Sequence, residues 1–428
     1  MTLFPLFLLV ILTGIPIAFA FGVAALLFMT FASGPSLKFD SLVTVAFSGL
    51  DSFVLMSIPF FVFAGDLMKQ GGIVGRLIDF SALFMRKGRG GLGGIAVLAS
   101  TFFGAISGSS AASVAAIGSS MLPEMERQGY RRQDAAALVA ASGYIGILIP
   151  PSIPLILYGL ASSASIGDLF LAGIIPGLLA TVMFVGLNSW IVRNSGDQTA
   201  VQAATKIHHG HLRTGLSAIP GLLLPIIILG GIYSGIFTPT EAAAVAVAYA
   251  IFVGLFVYRS FTLRDIPAIA LDSAITSACI MLIIGFSAFF GRVMTIGQVP
   301  AAISSAMLGI TSDPIGLILL INAFLLFLGM FVETATIIMI ATPILLPLVK
   351  SLGIDPVHFG VIMVVNLSVG LITPPMALNL FVASRVSGVH LKDLMRPVVP
   401  YVIASIGLVL IVTFVPQLST MLPSMFGK

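Results

Sequence analysis

The chain has 428 residues, 58% of them hydrophobic and only 8% charged. A soluble domain carries about 25% charged residues, so a water-soluble globular protein is excluded and a polytopic integral membrane protein is expected. The net charge of +4 sits in short loops, where cytoplasmic Lys and Arg are retained. It implies no nucleic-acid partner. The one cysteine, Cys279, excludes an intrachain disulfide.

In chain order, apolar spans or half-spans are expected at 3–33, 41–64, 92–126, 134–163, 168–193, 217–236, 240–258, 272–296, 314–350, 358–386 and 397–420. Each is judged against the roughly 20 residues that cross a bilayer. The first lacks a basic leader and is too long for a signal-peptide core, so it reads as a retained span. Segments 66–80 and 260–271 mix charge with apolar residues and read as amphipathic arm helices at the interface. The polar stretch 194–216 reads as a loop. Segments 92–126 and 314–350 are too long for one span, and each is broken in its middle, at GAISGSSAAS (104–113) and GMFVETAT (329–336). Both read as re-entrant helical hairpins, whose tips are tolerated only when buried in protein or lining a cavity.

The chain is internally duplicated. Pro150-Pro151 in SGYIGILIPPSIPL and Pro374-Pro375 in NLSVGLITPPMALN lie 224 residues apart, as do Pro123 and Pro347, Gly146 and Gly370, and Pro176 and Pro400. Paired, Pro-interrupted segments in two halves of a membrane protein point to a transporter's binding site. Charge sets the orientation. The first hairpin is flanked by Arg86, Lys87, Arg89, Arg127, Arg131 and Arg132, the second only by Arg292 and Lys350. With the cytoplasmic side the more basic, the first opens inward and the second outward. Five crossings between them require the same inversion.

Proline lacks an N–H, so each Pro-Pro break should leave carbonyl oxygens free. The tips add hydroxyls at Ser107, Ser109, Ser110, Thr334 and Thr336. Such neutral oxygens suit Na⁺ as the coupling ion. Protons are the alternative, through Glu333 in the second tip. The half-helices that start after the breaks carry Ser152 and Asn379 in their first turns. A helix N-terminus favours an anion, so the expected substrate bears a carboxylate. Both residues could equally serve only as caps.

His208, His209 and His211 read as a solvated loop rather than a metal cluster. Asp66, Asp79, Glu241 and Asp272 read as interfacial anchors or caps, and Arg292 as a snorkelling side chain. The Gly-rich 90–108 stretch reads as a close helix-packing surface. No nucleotide-binding, HExxH or nucleophile-elbow motif occurs, so no enzyme is expected.

The motifs GAISGSSAASVAAIGSSMLPEMERQGY, AAALVAASGYIGILIPPSIPLILYG, GIFTPTEAAAVAVAYA, FLGMFVETATIIMIATPILLPLV and GLITPPMALNLFVASRVSG resemble the large membrane subunit of tripartite ATP-independent periplasmic (TRAP) transporters, over essentially the whole chain. A weaker similarity extends to divalent-anion/sodium symporters.

The resemblance implies an all-α, elevator-type transporter of two inverted repeats in a bacterial inner membrane. It also implies a small four-helix membrane subunit and a periplasmic substrate-binding protein as partners. The cargo would be an organic acid such as a C4-dicarboxylate or sialic acid, with at least two Na⁺ as coupling ions. By the same resemblance one Na⁺ site would involve Ser107, Ser110, Gly146, Ile149 and Pro151. The other would involve Glu333, Thr336, Gly370, Thr373 and Met376, with substrate near Ser107, Ser109, Ser152, Glu333 and Asn379. The matching division is a scaffold and first arm (1–85), a first transport repeat (86–193), a loop with scaffold and second arm (194–271) and a second transport repeat (272–428). A stand-alone symporter or an H⁺-coupled carrier are the alternatives.

Overall fold

A computed structural model describes residues 10, 15, 17–32, 39–85, 90–194 and 216–426. Within them the chain is helical, with no strand. In order the helices are α1 (Ile17–Ala32), α2 (Phe39–Leu50), α3 (Ser57–Gln70), α4 (Ile73–Phe84), α5 (Gly91–Ser107), α6 (Ser110–Arg127), α7 (Arg132–Gly143), α8 (Ile153–Ser162), α9 (Ile166–Asn194), α10 (Ile219–Tyr233) and α11 (Pro239–Phe252). They continue as α12 (Ile266–Ile296), α13 (Val299–Ile310), α14 (Pro314–Gly329), α15 (Thr334–Ser351), α16 (Pro356–Gly370), α17 (Leu378–Ser387), α18 (Leu391–Phe414) and α19 (Gln417–Phe426). Among the described residues six helical segments are long and apolar enough to cross a membrane.

Both expected hairpins are present. Helix α5 ends at Gly108, whose left-handed φ of 59° lets its N–H reach back to the Gly104 carbonyl. Ser109, extended, then starts α6 by accepting from the Ala112 N–H through its side chain. The second hairpin turns at Met330–Glu333, and the Glu333 carboxylate accepts from the N–H groups of Ala335 and Thr336 at the start of α15. Both tips therefore use an N-cap to satisfy the free donors of a new helix.

Both Pro-Pro pairs break a helix: α7 passes through a 3₁₀ turn (Tyr144–Ile147) to the cis pair Pro150-Pro151 before α8, and α16 reaches the cis pair Pro374-Pro375 before α17. Each hairpin packs on its own break through glycine. A Cβ on Gly104 would lie 2.0 Å from Gly146 Cα, and one on Gly370 would lie 2.2 Å from the Gly329 carbonyl oxygen. Gly93 is equally tight, since a Cβ there would lie 2.4 Å from the Asn188 amide. The Gly-rich stretch is the close-packing surface expected of it.

Two expectations change. Segment 66–80 is not one arm helix: 66–70 end α3, and the chain turns at Gly72 (φ 69°) before α4. Segment 260–271 is not a separate arm either, because α12 runs unbroken for 31 residues from Ile266. A further 12-residue helix, α13, follows a left-handed turn at Gln298; its two serines and short length hid it in the hydropathy pattern. The three histidines of the 194–216 loop lie outside the described residues.

Candidate functional site

A cavity of about 350 Å³ lies where the two hairpin tips meet. Ser107 to Ala112 line it from the first tip, Glu333 to Ala335 from the second. The opposite wall is built by α3, with Asp66 and Lys69, and by α12, with Thr276 and Cys279. Gly65 lets α3 approach the first tip closely, since a Cβ there would lie 3.1 Å from Ser107 Cα. Asp66 is held by a hydrogen bond from the Ser273 hydroxyl (2.7 Å). Lys69 is exposed, with no carboxylate in ion-pair range among the described residues.

Of the expected site residues, Ser107, Ser109, Ser110 and Glu333 line this cavity. The rest stand behind it. Asn379 is fully buried; its amide lies 2.7 Å from Ser110 Oγ and donates to the Ala140 carbonyl at 3.0 Å. Ser152 is also fully buried and caps α8, donating to the Ile147 carbonyl and accepting from the Leu155 N–H. The geometry matches the capping alternative for Ser152 and gives Asn379 the role of a tie between the repeats. Ile149 turns its side chain toward Gly177 of α9.

The carbonyls released by proline are mostly reused. The helical partners of Gly146, Ile147, Gly370 and Leu371 would be the four prolines, which have no N–H to donate. Ile147 instead accepts from Ser152, Gly370 from the Thr373 N–H (3.2 Å) and Leu371 from the Asn379 N–H (3.0 Å). Pro151 presents its carbonyl to the first tip, 2.7 Å from where a Cβ on Gly108 would stand. Thr373 turns its hydroxyl back to the Val369 carbonyl (2.7 Å), and the Met376 N–H bonds the Met330 carbonyl (3.0 Å), tying the second tip to the second break.

Thr336 is different. It is fully buried, and its hydroxyl has no hydrogen-bond partner. A buried unsatisfied hydroxyl is destabilising, and a small cation coordinated by oxygen would satisfy it. Among the described residues no three His, Cys, Asp or Glu side chains converge as metal ligands.

Asp66, Lys69, Thr276 and Cys279 were not legible as cavity residues, because hydropathy places Asp66 and Lys69 at an interface. The close approach at Gly65 lets that end of α3 reach the tip. Glu241 forms a capping box with Thr238, as an interfacial cap should. Arg292 is exposed and outside the cavity, in keeping with snorkelling.

Comparison with known proteins gives one consistent picture. Residues 4–418 match the model of the tripartite ATP-independent periplasmic transporter, DctM component. The chain is 42% identical to the isethionate TRAP transporter permease protein DctMQ of Oleidesulfovibrio alaskensis over 97% of its length, spanning 65% of that longer protein. It is 38% identical to the C4-dicarboxylate TRAP transporter large permease protein DctM of Rhodobacter capsulatus, covering 99% of both chains. It is 37% identical to the sialic acid TRAP transporter large permease protein SiaM of Vibrio cholerae, covering 96% of both. The fold resembles the crystal structure of the Alcanivorax borkumensis YdaH transporter with a TM-score of 0.61, at 16% identity over 89% of each chain.

Proposed function

The chain belongs to the DctM-component family of tripartite ATP-independent periplasmic transporters, and we propose that it is the subunit that carries the substrate in a Na⁺-coupled importer. It takes a carboxylate-bearing organic acid, a C4-dicarboxylate or sialic acid, from a periplasmic binding protein. It moves the acid across a bacterial inner membrane together with a small four-helix membrane subunit. The motion is an elevator: hairpins and broken helices carry the cargo past α3, α12 and the arms α4 and α13.

The observation that supports this reading best is the convergence of both hairpin tips on one cavity, with the partnerless Thr336 hydroxyl directly behind the second tip. One Na⁺ is assigned to Ser107, Ser110, Gly146, Ile149 and Pro151. The other is assigned to Glu333, Thr336, Gly370, Thr373 and Met376, several through main-chain carbonyls. Substrate lies against Ser107, Ser109 and Glu333, with Lys69 as the cation facing its carboxylate. Ser152 and Asn379 hold the half-helices that frame it. Proton coupling would rest on Glu333, whose Oε2 already accepts from two N–H groups.

The test is uptake into proteoliposomes holding both membrane subunits, with the binding protein outside. Substrates to compare are C4-dicarboxylates, sialic acid and isethionate, since relatives carry each of these in their names. Uptake is expected only under an inward Na⁺ gradient. Undiminished uptake in Na⁺-free buffer under a proton gradient would replace this reading by the H⁺-coupled one. Uptake without any binding protein would favour a stand-alone symporter.

A further inference from the structure

Two glycines at the same place in the repeat have opposite surroundings. The segments GDLMKQGG (65–72) and GRVMTIGQ (291–298) align without a gap. Each ends in a left-handed residue, Gly72 (φ 69°) or Gln298 (φ 54°), from which a 12-residue arm helix starts. Gly65 therefore corresponds to Gly291, and Asp66 to Arg292. The tips align in the same way: Ser109 and Glu333 are both extended N-caps, so Ser107 corresponds to Phe331.

In the first repeat the tip covers its glycine, with Ser107 Cα 3.1 Å from a Cβ built on Gly65. In the second repeat the contact is not made. A Cβ on Gly291 would meet nothing within 4 Å, and Phe331 is 40% exposed at its tip. A bare notch and a partly exposed apolar side chain, its ring packed on that of Phe327, occupy the positions whose counterparts are in contact. Helix α15 already packs along α12, so the tip lies on the element that carries the notch.

Inverted repeats reach the opposite access state when each half takes up the arrangement of the other. We infer that Gly291 is the seat of the second hairpin tip in the conformation open to the other side, with Phe331 covering it. In that state Arg292 takes the cavity-lining place that Asp66 holds here. A guanidinium binds a carboxylate in a bidentate fork, so Arg292 becomes the group that meets the anionic substrate on that side. This rests on the transporter reading above. Glycine is required at 291 because any larger side chain would hold the tip away from the helix.

The test uses the complete transporter as parent with its one cysteine, Cys279, kept because it lines the cavity; peptide mapping tells its cross-links from the engineered one. Into it go Gly291→Cys and Phe331→Cys, which can join only if their Cα atoms come within about 7 Å. Oxidation is expected to form the cross-link, read by mass spectrometry, and to lower uptake at least tenfold until reductant is added. Gly291→Leu should lower uptake as much with an unchanged unfolding temperature, while Gly407→Leu, in equally open surroundings, stays within twofold of wild type. Arg292→Gln should raise the KM for uptake about tenfold, and Arg292→Lys should recover part of it. A transporting parent that never cross-links, wild-type uptake by Gly291→Leu, or an unchanged KM in Arg292→Gln would each overturn the proposal. A parent with no Na⁺-driven uptake would instead remove the transporter reading, and the cross-link is scored without transport.

Discussion

Ser110 and Asn379, 269 residues apart, meet in a buried contact that joins the first hairpin tip to the half-helix after the second break. Ser110 Oγ lies 2.9 Å from Asn379 Oδ1 and 2.7 Å from Nδ2, and both residues are at most 6% exposed. The two repeats are thereby coupled at the point where the first ion site is assigned.

Asn379→Ala should therefore act on both stability and coupling. It leaves the Ser110 hydroxyl and the Ala140 carbonyl without their partner, a loss of about 1–3 kcal/mol for a buried group. Thermal unfolding should move down accordingly, and the Na⁺ concentration for half-maximal uptake should rise. Ser110→Ala should weaken Na⁺ dependence with a smaller stability loss. Wild-type Na⁺ dependence in both variants would remove Ser110 from the ion site.

Thr336→Val offers the cleaner separation. The hydroxyl has no protein partner, so replacing it by a methyl of similar size removes no hydrogen bond. Stability measured without Na⁺ should stay within about 1 kcal/mol of wild type or rise. Apparent Na⁺ affinity should fall about tenfold, and Thr336→Ser should keep most of it. Thr373→Ala should weaken Na⁺ affinity in the same direction.

Gly104→Ala tests the packing of tip on break. Its Cβ would stand 2.0 Å from Gly146 Cα, against main chain that cannot rotate away. Overpacking of this kind costs about 1–3 kcal/mol or more. Reduced yield of inserted protein and a lower unfolding temperature are expected, with no similar effect from Gly186→Ala, which has open space around it.

Lys69→Gln probes the scaffold wall of the cavity. Lys69 is the one basic residue among those lining it, so removing the charge should raise the KM for an organic anion about tenfold. Lys69→Arg should recover most of the loss. Insertion and unfolding temperature should not change, because the side chain is exposed.

Much of this was legible in residue types. The Pro-Pro pairs and the hydroxyl-rich tips mark broken helices and hairpins, since each is a local backbone effect. The arms were not. Hydropathy cannot separate a five-residue end of α3 from α4, nor find α13, because the deciding feature is a left-handed turn at Gly72 and Gln298. Asp66 and Lys69 escaped for a related reason. Their distance from the tips depends on how closely Gly65 lets two elements approach, and that is a property of the pair.

Sequence alone determined that this chain spans a membrane, is duplicated, and breaks its helices where prolines remove donors. These follow from the solvation of backbone and side chains, which is written residue by residue. Tertiary structure decided which oxygens are left without a hydrogen-bond partner. Three of the four carbonyls that proline releases find other donors within the protein, whereas the Thr336 hydroxyl, one of five tip hydroxyls in the sequence, is buried without one. Hydrogen-bond satisfaction depends on partners that only folding brings within reach.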